Sequence, residues 1–388
     1  MAVDTFPMLK EGLIYFDSAA TTLKPQCVID AISNFYSKEY GTVHRAIYDL
    51  SMNATEQYDA VRVKAQKFLN ARESCEIIFT KGTTEGINLV AHSFGEAFIQ
   101  KGDEILVSQL EHHSNIVPWQ LLCQRTGAQI KVIPATKEGE LDLKAYEELL
   151  TDRVKMVAVG HISNAIGTIH PIEKMIRLAH AKGAKVLVDG AQAAAHLKID
   201  VQSLDADFYL FSGHKIYGPT GVGVLYGKKA LLDAMPPFMG GGDMIKTVSF
   251  KETTFADLPM KFEAGTPPIA QVIGLGAAFD FLERQKPVTL QSLLLERLTE
   301  LSRVNIIGQP ANRGPIVSFT VEGLHPLDIG TMLNLKGIAI RTGHHCAQPA
   351  MDHFCINGCA RASLGVYNTE EEIESFVRSL ESVIEQLC

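Results

Sequence analysis

Short apolar runs alternate with longer helical patterns along most of this chain, and that alternation limits the fold more than any other feature. Strand-length runs rich in β-branched and aliphatic residues fall at residues 76–80, 104–108, 129–133, 155–159, 185–189, 207–212 and 222–226. Between them lie stretches with helical periodicity, such as 116–125 and 172–182. In 51–71, Ala54, Tyr58, Val61, Ala65, Phe68 and Leu69 recur at three- and four-residue steps, which predicts an amphipathic helix capped by Ser51. Strands separated by helices imply a largely parallel sheet covered on both faces. The fold class is therefore α/β.

With 388 residues, the chain is long enough for two or three structural units. The pattern changes near Gln285, after which it predicts a helix at 290–302, strands at 304–307 and 316–321, a helix at 326–335 and a closing helix from Thr369. That is the outline of a second, smaller α/β domain, and the cleft between two such domains is the default site.

Charge removes several functions. Lys and Arg number 36 against 44 Asp and Glu, a net charge of −8, so nothing draws the whole molecule to nucleic acid or to an anionic membrane. No stretch of 18 apolar residues occurs, and the first residues lack the basic and apolar regions of a signal peptide, so a cytoplasmic protein is expected. Cysteines at 27, 75, 123, 346, 355, 359 and 388 are odd in number and mostly scattered, which argues for reduced thiols.

In a doubly covered sheet, ligands bind beyond the carboxyl ends of the strands. Five runs end in reactive residues there: Thr80 to Thr84, Glu111-His112-His113, Asn164, Asp189, and Ser212-Gly-His-Lys215. A carboxylate and a lysine at one rim suit pyridoxal phosphate, because Asp189 would keep the pyridine nitrogen protonated and Lys215 would bind the aldehyde. A simple rim ion pair is the competing reading. Thr83 and Thr84, at the start of a helical pattern, could hold a phosphate with Ser212 and His214, or could be ordinary helix caps. Neither the Walker A spacing nor the dinucleotide spacing is present around Gly221 to Lys229.

The segment Arg341-Thr-Gly-His-His-Cys346 follows an apolar run in the smaller unit. A cysteine beside Arg and two His on a glycine-containing segment reads as a nucleophile, since nearby cations favour the thiolate. The His and Cys residues of 344–359 raise a different possibility, a non-enzymatic zinc protein, although their spacing forms no paired ligand motif. No metal is expected.

These residues form a pattern. Together with Tyr15-Phe-Asp-Ser-Ala-Ala20, Val43-His-Arg45, Gly82 to Gly86, Glu111 to Trp119, Ser163-Asn164, Val188 to Gln192, Phe262 to Pro267 and Arg361-Ala-Ser363, the sequence resembles the fold-type I, pyridoxal phosphate-dependent cysteine desulfurases of the SUF (group II) branch, relatives of the selenocysteine lyases. The match spans nearly the whole chain.

The resemblance implies a large cofactor domain at 22–284 with a mainly parallel seven-stranded sheet, and a small domain at 285–388 with segment 1–21 packed beside it. Lys215, Cys346 and His112 would be catalytic: Lys215 binding the cofactor and taking the α-proton, His112 stacking on the ring and moving protons, Cys346 forming the persulfide. Asp189 and Gln192 would contact the ring. Thr83, Thr84, Ser212 and His214 would hold the phosphate, joined by Thr266 from the second subunit of a homodimer. Arg361 and Asn164, with Arg341 and His44, would bind the substrate, L-cysteine or L-selenocysteine. The short loop before Cys346 implies sulfur transfer to a SUF-system acceptor protein for iron-sulfur cluster assembly. Cys355 and Cys359 read as core cysteines, or else as further sulfur acceptors.

Overall fold

The computed structural model describes residues 5–387, so Met1–Asp4 of the N-terminal segment and Cys388 lie outside the described residues. All seven predicted strand runs form one sheet. In chain order they are β1 (Ile77–Thr80), β2 (Glu104–Ser108), β3 (Gln129–Ile133), β4 (Val154–Gly160), β5 (Lys185–Asp189), β6 (Phe208–Ser212) and β7 (Gly223–Gly227). Their spatial order is β1-β7-β6-β5-β4-β2-β3. Only β7 runs against its neighbours, pairing antiparallel with both β1 and β6. The remaining pairs are parallel.

Alternate residues of the central strands feed two apolar layers. Val157, Val159, Val186 and Val188 join one cluster, while Met156, Ala158 and Leu187 join the other. Burial on both faces explains why these runs are continuously apolar, each buried Val, Leu or Met contributing about 1.5–3 kcal/mol. The helix expected behind Ser51 begins earlier, at Asp49, and extends to Leu69. Ser51 is not its cap. That side chain is buried and donates to the Thr42 carbonyl instead, 2.8 Å away, so tertiary contact overrides the local capping signal.

A second, four-stranded antiparallel sheet is built from β8 (Val304–Ile306), β9 (Ile316–Val321), β10 (Arg341–Gly343) and β11 (Cys359–Ser363), in the order β8-β9-β11-β10. The helix Glu370–Leu387 covers it with Ile373, Phe376, Leu380 and Val383. Three glutamates in that helix's first turn complement its dipole. Ile14–Tyr15 pairs in parallel with Ile338–Ala339, and Phe16 enters the core of this smaller sheet. A β-hairpin also forms, from Ile245–Val248 and Thr253–Phe255. No helix among the described residues is long and apolar enough to cross a membrane.

Candidate active site

The carboxyl ends of the large sheet and the strands β10 and β11 enclose a cavity of about 200 Å³. Every predicted site residue lines it except His44 and Thr266. His44 sits apart, its Nε2 3.0 Å from Asp59 Oδ1. Thr266 borders a different hollow beside Glu263 and Met239.

At one end of the cavity the helix Thr83–Phe98 begins. Its N-cap is Gly82, which has no side chain to cap the first turn. Thr83 and Thr84 are therefore not caps. The Thr83 N–H donates to Ser212 Oγ at 2.9 Å, and the two hydroxyls lie 2.9 Å apart. Gly82 adopts φ +152°, and a Cβ on Gly223 would come within 2.6 Å of its Cα, so two glycines are needed for this close approach. An uncapped helix start flanked by hydroxyls is an anion cradle. His214 borders it with its Nδ1 3.2 Å from Thr21 Oγ1; burial first, then Lys215 and Lys24, lowers its pKa to about 4, so its ring is neutral.

Lys215 and Asp189 stand deeper, at the ends of β6 and β5. Burial lowers the Lys215 amine to about 8, against the opposing pull of Asp189. The two make no direct ion pair among the described residues, unlike a plain rim salt bridge. Asp189 accepts the Ala191 N–H at 2.9 Å, and burial raises its pKa. Gln192 Nε2 donates to the Ala19 carbonyl at 2.7 Å. His112 accepts the Ser114 N–H at its Nδ1, 3.1 Å away; burial above all lowers its pKa to about 3, so in the neutral ring the proton sits on Nε2.

Two residues of this region went unassigned from sequence. Glu111 is buried on the cavity wall and accepts from Ser108 Oγ, Asn115 Nδ2 and the Gly160 N–H, at 2.5, 2.7 and 2.9 Å. Burial raises its carboxyl to about 7. Asp17 pairs with Arg361 at 3.1 Å across the width of the chain. Tyr15-Phe-Asp17 carried the signal, but only as a motif without a role.

Arg361, on β11, is 1 % exposed. One amino group donates to the Asn164 carbonyl at 2.8 Å and the other meets Asp17, while Nε has no partner among the described residues. Asn164 also donates through Nδ2 to the His345 carbonyl at 2.7 Å. Arg341, on β10, reaches the same cavity, as does the exposed Cys346. The His and Cys residues of 344–359 do not converge: His345 touches Cys359, His353 meets the Thr136 carbonyl, and no group of three metal-ligating side chains gathers among the described residues. Cys355 is exposed with φ +54°, not a core residue, because the turn after the helix Gln348–His353 swings it outward.

The class-V aminotransferase profile matches residues 14–376. A cysteine desulfurase of Escherichia coli is 49 % identical over 97 % of this chain and 96 % of its own length. The crystal structure of the E. coli cysteine desulfurase CsdA superimposes with a TM-score of 0.93 at 41 % identity, covering 99 % of this chain and 98 % of that one. This chain belongs to the class-V aminotransferases, in their cysteine desulfurase branch. A more distant structure of TM-score 0.86 and 26 % identity, covering 98 % of each chain, is a C-DES variant with glycine covalently linked to its pyridoxal phosphate.

Pyridoxal phosphate is the cofactor of these class-V enzymes, and the cavity fits it. The uncapped helix start beside Ser212 suits its phosphate, the buried Lys215 amine suits its aldehyde, and the buried Asp189 carboxyl suits a protonated ring nitrogen.

Proposed function

We propose that this chain is a cytoplasmic, homodimeric SUF-type desulfurase that converts L-cysteine to L-alanine, keeps the sulfur on Cys346 as a persulfide and passes it to an acceptor protein for iron-sulfur cluster assembly. The observation that carries this reading is that a buried amine, Lys215, and an exposed thiol, Cys346, line one cavity. In this reading residues 22–284 form the cofactor domain, and residues 285–388, with the N-terminal segment, form the smaller domain that presents Cys346. The similar CsdA structure makes the SUF assignment rest on the short Arg341–Cys346 segment.

When bound, the cofactor supplies an aldehyde for amines and a ring that stores the electron pair released at the substrate's α-carbon. Thr83, Thr84, Ser212 and His214 would hold its phosphate. Asp189 would balance a positive ring nitrogen, and Gln192 and His112 would contact the ring. Arg361 offers Nε and its charge to the substrate carboxylate, a task for which a guanidinium fork is better shaped than an ammonium, with Asn164 and Arg341 beside it. Lys215 would hold the cofactor's aldehyde, and its Nζ, when not so engaged, would take the substrate's α-proton.

The Cys346 thiolate then attacks the substrate sulfur. A sulfur–sulfur bond forms as the carbon–sulfur bond breaks, and the carbon keeps its electron pair. The carbon fragment gains one proton at Cβ, takes the α-proton back from Lys215 and leaves as alanine, with His112 Nε2 managing the proton of the substrate thiol. The acceptor's thiol removes the outer sulfur and restores Cys346.

His44 and Thr266 lie outside this chain's own cavity, so their roles require a second subunit. Phe250 on the hairpin and Ile47, 113 % and 95 % exposed, are the kind of apolar surface such a dimer covers.

The test is intact mass and peptide mapping of the cofactor-loaded protein after L-cysteine is added without reductant. One added sulfur atom on Cys346, matched by released alanine, is expected. Alanine without sulfur on Cys346 would overturn the persulfide route.

A further inference from the structure

The Cys346 loop contains two successive non-glycine residues in left-handed backbone, His345 at φ +54° and Cys346 at φ +55°. Residues with a Cβ avoid this region, so such a pair persists only where its surroundings over-determine it. Contacts from both sheets do so. From the rim of the large sheet, the His113 N–H donates to the Cys346 carbonyl at 2.7 Å, and His113 Nε2 accepts the Gln348 N–H at 3.0 Å. One residue therefore holds the loop at the Cys346 carbonyl and again two residues beyond it, at Gln348.

From the smaller sheet, Cys359 Sγ lies 3.3 Å from His345 Nε2. The His345 ring is buried and its Nδ1 has no partner among the described residues, so its polar contact runs through Cys359. Cys359 sits at the start of β11, opposite Gly343. Neither His113 nor Cys359 lines the cavity. His113 directly follows His112, which does, so one turn carries both the ring that faces the cofactor and the tether of the nucleophile's loop.

We propose that His113 and Cys359 are positioning residues for Cys346, clamping its loop from opposite sides so that the thiol stays turned toward the cavity. The inference rests on the desulfurase reading, in which Cys346 must meet the substrate sulfur in line. Displacement of a reacting group by about 1 Å can cost a factor of about 10². A buried thiol is a weak hydrogen-bonding partner, so the Cys359 side of the clamp is the weaker one.

The test uses cofactor-loaded His113→Ala, His113→Gln, Cys359→Ala and Cys359→Ser proteins. Three quantities are read: single-turnover persulfide formation on Cys346, KM for L-cysteine, and the rate at which iodoacetamide alkylates Cys346. His113→Ala keeps the main-chain N–H to the Cys346 carbonyl but removes the Nε2 tether to Gln348, and is expected to slow persulfide formation about tenfold, with KM and cofactor absorbance unchanged and alkylation faster as the loop loosens. His113→Gln, whose amide oxygen can accept the Gln348 N–H, recovers most of the rate. Cys359→Ala shows a smaller loss that Cys359→Ser repairs.

Wild-type persulfide formation and alkylation in His113→Ala would overturn the clamp, and so would a loss accompanied by a raised KM or missing cofactor. If the wild-type protein itself gains no sulfur, the desulfurase reading fails. The alkylation rates of wild type and His113→Ala still decide whether the clamp exists.

Discussion

The two reactive ends of the site are held in different ways. Asp189 and Ser212 are the last residues of β5 and β6, strands buried along their length and paired on both sides, and Lys215 follows only three residues later. Cys346 stands on an exposed loop in unfavourable backbone, kept there by two hydrogen bonds with His113 and one each with Asn164 and Cys359. The contrast fits the two tasks proposed for them. Groups that would manage charge on a bound ring gain from a fixed, dry setting, where electrostatic interactions are stronger. A thiol that would receive sulfur inside and deliver it outside has to reach solvent, and an exposed loop allows that.

The largest effects should separate these ends. Lys215→Ala is expected to abolish turnover of both L-cysteine and L-selenocysteine, because neither proton removal nor cofactor capture survives without the amine; alanine release measures it. Cys346→Ala should abolish alanine release from L-cysteine while sparing much of the release from L-selenocysteine, since selenolate leaves more readily and needs less help from a nucleophile. Equal loss with both substrates would place Cys346 among the fixed rim groups and end the distinction.

How far these ends could be read in the sequence differs in the same way. The rim was legible because each strand is a buried apolar run, and the residue that ends such a run must face the ligand edge; Asp189 and Lys215 follow from that. The direction of β7 was not legible, since an apolar run looks the same either way along the chain. On the smaller side, β10 and β11 escaped because Arg341–Gly343 and Cys359–Ser363 are too short and too rich in polar or small residues for a two-residue period to stand out. The Asp17–Arg361 pair joins residues near opposite ends of the chain, and nothing local in either segment announces it. The hydrogen bonds of Glu111 depend on Gly160, a neighbour supplied only by sheet order.

A smaller effect tests where the substrate's carboxylate sits between the two ends. Arg361→Lys keeps the charge but loses the fork, including the contacts to Asn164 and Asp17. A lost hydrogen bond to a charged group is worth about 1.5–3 kcal/mol, so KM for L-cysteine should rise by about 10- to 100-fold with a lesser change in kcat. An unchanged KM would remove Arg361 from substrate binding and leave it as a strut between Asp17 and β11.

The smallest expected effect concerns the rim alone. Only an unprotonated amine captures an aldehyde, and burial lowers Lys215 from 10.5 to about 8. The rate at which cofactor-free protein takes up pyridoxal phosphate should therefore rise with pH, with a midpoint near 8 instead of 10.5. Below the midpoint the buried ammonium is disfavoured, and between the two values the unfolded chain binds more protons, so folding stability also rises with pH across that window. Because the Asp189 charge raises the Lys215 pKa, Asp189→Asn should move the loading midpoint downward. An upward shift, or none, would mean that Asp189 does not act on the amine through space, and the rim would then be two separate buried groups sharing an edge.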